Sequence, residues 1–296
     1  MRRREFIGLL GAAAWPFAAR AQPNGRIPVI GYLYPLSEAD DRQLGDGAAF
    51  REGLRDLGYV VGENLRIEAR YADRHYDRLE PLAAELVGLK VELIVAWGPG
   101  IRAARAVTAA VPIVMAVQAD VVAQGLAESL SHPGGNLTGH SIFRIEFPSK
   151  RLELIKQAQP SLARVGLILQ GRSDSPAIRN MLDAANRTAA KLKIELAPIA
   201  VEGAAEVERA LSDAPGGPVG GFVITDSELF VDSALIADVA GRRGLPSIGI
   251  PLYASRGGLL GYGSDFVQMA RRAALFQRDA RTARPRPSSD DSEQTA

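Results

Sequence analysis

Two periods of apolar spacing alternate along the chain. Short runs rich in β-branched residues at 27–33, 65–71, 91–96, 112–117 and 137–142 predict strands, and the stretches between them predict helices. Within 65–71, Leu65, Ile67, Ala69 and Tyr71 fall on one side, as in a half-buried strand. The run at 91–96 is nearly all apolar, the pattern of a parallel strand covered on both faces. Phe50, Leu54 and Leu57 mark a helix over 42–57 that Gly58 terminates. Asp77 and Glu80 are spaced as a capping box ahead of an apolar stripe at Leu79, Leu82, Leu86 and Leu89. A helix at about 101–110 completes this series, and a turn-rich block, Ser131-His132-Pro133-Gly134-Gly135-Asn136, precedes its last strand.

A second series follows at once. Leu152, Ile155 and Ala158 predict a helix ended by Pro160, and 164–170 predicts a strand. Ser175 as cap and Pro176 at the first helical position open a helix faced by Ile178, Leu182, Ala185, Ala189 and Leu192. Strands at 194–201, 221–225 and 247–250 alternate with helices near 204–212 and 230–243, the last stopped by Gly244 and Pro246. Repeated strand–helix–strand units form parallel sheets through right-handed crossovers. Two such series predict an α/β protein of two Rossmann-like lobes.

Parallel sheets of this kind bind ligands beyond the carboxyl ends of their strands. The strand-end loops therefore supply the candidate ligand contacts: Tyr34; Trp97, Gly98 and Gly100 in Trp97-Gly98-Pro99-Gly100; Asp120; Ser173; and Asp226. Gly98 and Gly100 let backbone amides approach a carboxylate, but the loop lacks the Lys-Ser/Thr ending of a nucleotide loop. Trp97 reads either as a core indole or as a ring lining a cleft. Asp120 and Asp226 suit a ligand ammonium, and each equally suits capping the segment that follows.

Composition removes most catalytic templates. Cysteine is absent, so thiol nucleophiles and zinc–thiolate sites are excluded. His75, His132 and His140 have no metal-ligand spacing, and neither a G-x-G-x-x-G nor a G-x-S-x-G stands in the chain. These absences remove the common templates without excluding an enzyme, and the expectation is that there is no catalytic residue, cofactor or metal. The chain's 296 residues, 47% hydrophobic and 23% charged, fit about two globular domains, and a net charge of +1 offers nucleic acid no basic field.

The N-terminus modifies that charge. Arg2, Arg3 and Arg4 precede an uncharged stretch over 6–19, and Ala19-Arg20-Ala21 has the form of a cleavage site. The stretch is shorter than a membrane span, and paired arginines before it fit the twin-arginine export route. Removal of residues 1–21 takes away four arginines against Glu5, leaving a slightly acidic mature chain and Trp97 as its sole tryptophan. No other segment is long and apolar enough to predict stable membrane insertion of the mature chain.

Several segments together carry a family resemblance. They are the start at 2–10 with Ala19-Arg20-Ala21; Phe50-Arg51-Glu52-Gly53-Leu54 with Gly58-Tyr59; Asp120 with Gly125-Leu126; Ser129-Leu130 followed by Pro133-Gly134-Gly135-Asn136 and Thr138-Gly139; Lys150-Arg151-Leu152-Glu153-Leu154; and Gly257-Gly258-Leu259 with Tyr262-Gly263. With these the chain resembles the ABC transporter substrate-binding proteins of the tryptophan/tyrosine type over about residues 1 to 275. The resemblance implies a type I periplasmic binding protein, free in the periplasm, that closes on a small organic solute such as an amino acid and serves an inner-membrane ABC permease. An exported enzyme or a sensory receptor subunit on the same fold is the alternative.

By the same analogy the chain divides into an export signal (1–21), a first lobe (27–139 with 257–280), a second lobe (140–256) and a disordered tail (281–296). Val121 departs from the family's usual proline. Beyond about 275 the family continues with a last strand and a closing helix, where this chain reads Arg284-Pro285-Arg286-Pro287 and then a polar run. The expectation is a truncated or frame-shifted C-terminus that leaves an exposed sheet edge.

Overall fold

The computed structural model describes residues 27–282, apart from 120, 123, 130–133, 143–145 and 172–175. The export segment, His132, Asp120, Ser173, the Ser175 cap and tail residues 283–296 lie outside the described residues.

Strands β1 (Val29–Tyr34), β2 (Arg66–Tyr71), β3 (Leu93–Trp97), β4 (Ile113–Ala119) and β5 (Leu137–Ile142) form one sheet in the order β2-β1-β3-β4-β5, with every pair parallel. Helices α1 (Glu38–Leu44), α2 (Asp46–Asp56), α3 (Leu79–Gly88) and α4 (Pro99–Val107) connect them. Side chains on a strand alternate between faces, and the core follows that rule. Ile30, Tyr32, Tyr34, Leu93, Val95 and Trp97 pack on one face with Phe50 and Leu54 of α2. Val29, Leu33, Ile94 and Ala96 pack on the other with Leu82 and Leu86 of α3 and Ile101 of α4. The edge strand β2 is only half-buried, as its alternating pattern requires.

The second sheet holds β6 (Arg164–Gln170), β7 (Glu195–Val201), β8 (Phe222–Ile224), β9 (Ser247–Gly249) and β10 (Leu260–Gly261) in the order β10-β9-β8-β6-β7, again parallel. Its helices are α5 (Phe147–Ala158), α6 (Pro176–Leu192), α7 (Val207–Ser212), α8 (Ser233–Arg242) and α9 (Pro251–Ser255). Helix α10 (Phe266–Thr282) then returns to the first sheet, where Ala270, Ala273 and Ala274 join the core built on α2. Gly53 makes that approach possible, because a Cβ there would collide with the Arg271 carbonyl oxygen.

Three local expectations change. The helix predicted over 42–57 is two helices, because Gly45 adopts a left-handed φ of 83° that ends α1 and starts α2. The capping box lies at Ser37 and Asp40, where Asp40 N–H donates to Ser37 Oγ at 3.1 Å and Ser37 N–H to Asp40 Oδ2 at 3.2 Å. Asp77 and Glu80 form none, since a short 3₁₀ turn (Tyr76–Arg78) precedes α3 and its cap position is Arg78. Residues 257–265, expected with the first lobe, carry β10 on the edge of the second sheet, so the return begins at Phe266.

Candidate functional site

The strand ends of both sheets line one cleft of about 780 Å³. The first sheet contributes Tyr34, Trp97 and Val117–Ala119 at the ends of β1, β3 and β4. The second contributes Leu169 and Gln170 from β6, Ala200 from β7 and Thr225, Asp226 and Ser227 after β8. Of the seven residues the sequence singled out, Tyr34, Trp97, Gly98 and Asp226 line this cleft. Gly100 sits behind it, packed on Leu33, and Asp120 and Ser173 lie outside the described residues.

On the first-sheet wall, Trp97 serves both readings at once. It is buried in the core and lines the cleft, with its ring 5.4 Å from that of Tyr34 in an edge-on arrangement. Tyr32 stacks on Tyr34 at 5.7 Å, nearly parallel. The indole Nε1–H has no hydrogen-bond partner despite its burial, so it is a donor prepared for an acceptor.

The glycine loop is a poorer anion seat than its sequence suggests. Gly98 takes a φ of 48°, its N–H donates to Val117 O at 3.0 Å, and Ile101 N–H turns back to Gly98 O at 3.1 Å. Pro99 has no N–H. Arg74 shares the cleft lining and is bonded to Asp40 at 3.1 Å. Asp73 and Arg74 hold φ of 53° and 66°, an uncommon left-handed pair without glycine.

Two buried carboxylates lie under the tyrosines. Tyr34 Oη donates to Asp46 Oδ2 at 2.6 Å, while Asp41 accepts from Tyr32 Oη at 3.1 Å, Tyr71 Oη at 3.2 Å and Gly47 N–H at 2.7 Å. Burial pushes Asp46 up to about 7; the Tyr34 hydrogen bond opposes the rise and the Asp41 charge adds to it. Burial followed by the Asp41 charge pushes Tyr71 up to about 12.

On the opposite wall Asp226 meets a full counter-charge. Arg151 Nη2 lies 2.5 Å from Asp226 Oδ1, with both side chains almost completely buried. Arg151 also donates to Ile224 O at 2.7 Å and, through Nε and Nη2, to Tyr262 O at 2.8 and 2.7 Å. The ion pair is close, yet neither Asp226 oxygen receives a well-directed hydrogen bond, and Ser227 Oγ lacks one too. Asp226 therefore brings acceptor sites to the cleft while its charge is balanced within the protein.

Asp46, Arg74 and Arg151 were not singled out as ligand contacts. Arg151 falls on the same helical face as Leu152 and Ile155, and a cation on an apolar stripe was the one signal available. Asp46 becomes a cleft residue only because Gly45 turns the chain, which the uniform helical pattern hid. Among the described residues no cluster of three or more His, Asp or Glu could hold a metal, and no helix is long and apolar enough to cross a membrane.

Comparison with known proteins gives a consistent picture. The family model for ABC transporter substrate binding proteins matches residues 40–278. A tyrosine-binding protein of Clostridioides difficile is 30% identical over 200 residues, which is 67% of this chain and 57% of that protein. Among solved structures, a conserved domain protein from Vibrio cholerae has a TM-score of 0.73 at 20% identity, covering 87% of this chain and 86% of that one. The ABC domain from Streptococcus pneumonia in complex with L-Trp has a TM-score of 0.72 at 18% identity, covering 88% and 87%. These structural likenesses bear on the fold: two parallel five-stranded α/β lobes, as in type I periplasmic binding proteins.

Proposed function

Because the chain belongs to the ABC transporter substrate-binding protein family, we propose that it captures one aromatic amino acid or a close relative between its lobes and delivers it to an inner-membrane permease for import. The observation that carries this reading is the cleft itself. Two sheets end on it, one wall is aromatic, and three buried polar side chains (Trp97, Asp226 and Ser227) have hydrogen-bonding capacity left over. Buried polar groups without partners cost about 1–3 kcal/mol each, so a ligand that satisfies them gains affinity and specificity.

In this reading the ligand ring lies against Tyr34 and Trp97, its donor groups meet Asp226 and Ser227, and its carboxylate lies toward Arg74 on the Gly98 side of the cleft. Asp120 and Ser173 extend the same contact set. Closure of the lobes favours the liganded form, and opening releases the solute, so affinity differs between the two states. The ligands of the two similar proteins, tyrosine and L-Trp, support the aromatic assignment. The protein works as a binder without turnover, in the periplasm, after twin-arginine export and cleavage following Ala21.

A thermal-shift screen tests the reading directly. L-Tyrosine, L-tryptophan or an aromatic acid should raise the melting temperature and be recovered chemically intact, and Asp226→Ala should weaken binding at least tenfold. Stabilisation only by non-aromatic solutes, or turnover of the bound molecule, would refute it.

A further inference from the structure

The two cleft carboxylates differ in a way that bears on ligand charge. Asp226 has Arg151 as its counter-ion, whereas Asp46, equally buried, enters no ion pair among the described residues. Among the described residues, the elements packed around Asp46 bring it no ion-paired cation. Tyr34 of β1 donates one hydrogen bond, and Asp41 of α1 adds a like charge. Arg51 of α2 lies beside Gly47 and Asp41, and Arg74 after β2 is held by Asp40. From the other side come Asp226, the apolar pair Phe230 and Phe266, and Asp265, which shares with Asp46 an adjoining hollow of about 270 Å³.

We propose that Asp46, oriented by Tyr34, is a proton-linked subsite for a positively charged nitrogen of the ligand. In the empty cleft the buried acid retains its proton toward neutrality, because ionisation would create an unpaired charge beside Asp41. An entering ammonium supplies the missing counter-charge. The O–H bond of Asp46 breaks, the carboxylate pairs with the ammonium, and the released proton goes to solvent. Asp226, already neutralised, is left for uncharged donors such as a phenol hydroxyl or indole N–H. The inference rests on the proposed reading of this cleft as the ligand site. It adds that cationic ligands bind more tightly as pH rises, by about tenfold per unit below pH 7, and that the gain levels off above.

Calorimetry on the intact chain tests it with three probes: L-tryptophan and tryptamine, which carry an ammonium, and indole-3-acetate, which does not. At pH 6, in buffers of unequal ionisation heat, the ammonium probes should release close to one proton and indole-3-acetate none. Asp46→Asn should abolish the release. In a Trp15→Phe background, Trp97 fluorescence without ligand should titrate near neutrality and lose that transition in Asp46→Asn. Ammonium probes that bind without releasing a proton, or a flat fluorescence titration, would overturn the subsite and leave the aromatic-ligand reading standing. Failure of all three probes and of L-tyrosine to bind would remove both, even with Asp46 titrating.

Discussion

Asp46 and Asp226 line one cleft from opposite walls, and the protein handles their burial differently. Asp226 is ion-paired to a buried arginine that also ties together two backbone carbonyls, whereas among the described residues Asp46 has a tyrosine hydroxyl and a neighbouring acid. A buried carboxylate is tolerated when it is paired or when it keeps its proton, and this cleft uses both solutions. The second wall is thereby charge-balanced by an ion pair, while the first wall has a charge that depends on pH near neutrality.

The largest way to break this contrast is Arg151→Met. It strands Asp226 without a counter-charge and removes the bonds to Ile224 O and Tyr262 O, so unfolding by denaturant should show a loss of about 3–5 kcal/mol. Adding Asp226→Asn to that variant should recover part of the loss. A single variant costing under about 1 kcal/mol would show that the pair does not carry the second wall.

A smaller effect of opposite sign is expected at Asp46. Its folded-state value is raised above the ordinary 3.8 to about 7, so the native state binds this proton more tightly than the unfolded chain. Stability therefore erodes as pH rises from about 4 to about 7 and is flat beyond. Asp46→Asn should melt higher than the parent at pH 7–8, and the gain should shrink toward zero near pH 4. A melting-temperature difference independent of pH would contradict the assignment.

The smallest effect sharpens the role of Tyr34. Its hydrogen bond favours the ionised form of Asp46, so Tyr34→Phe should move the Asp46 titration to still higher pH, read by Trp97 fluorescence in the Trp15→Phe background. A shift to lower pH would mean that the hydroxyl does not stabilise the carboxylate.

Much of this architecture is legible along the chain. Alternation at Leu65, Ile67, Ala69 and Tyr71 and the apolar run before Trp97 are direct records of how many faces of each strand are covered. Strand ends then place Tyr34, Trp97, Gly98 and Asp226 on the ligand side of the sheets, because parallel β–α connections put their loops there. The acid–base context of the site is less legible. Arg151 is separated from Asp226 by 75 positions of sequence, and nothing local indicates that the two meet. The return of α10 to the first sheet, past a strand that still belongs to the second, is likewise a packing outcome: three alanines and Gly53 allow two helices to close together.

The sequence by itself determined the two parallel α/β lobes, the strand ends that carry the cleft, and the absence of cysteine chemistry, since periodicity and residue type are local properties. Only the tertiary structure decided which aspartate has a partner. Charge balance inside a protein depends on distances between groups brought together by folding, and on how much water that folding removes.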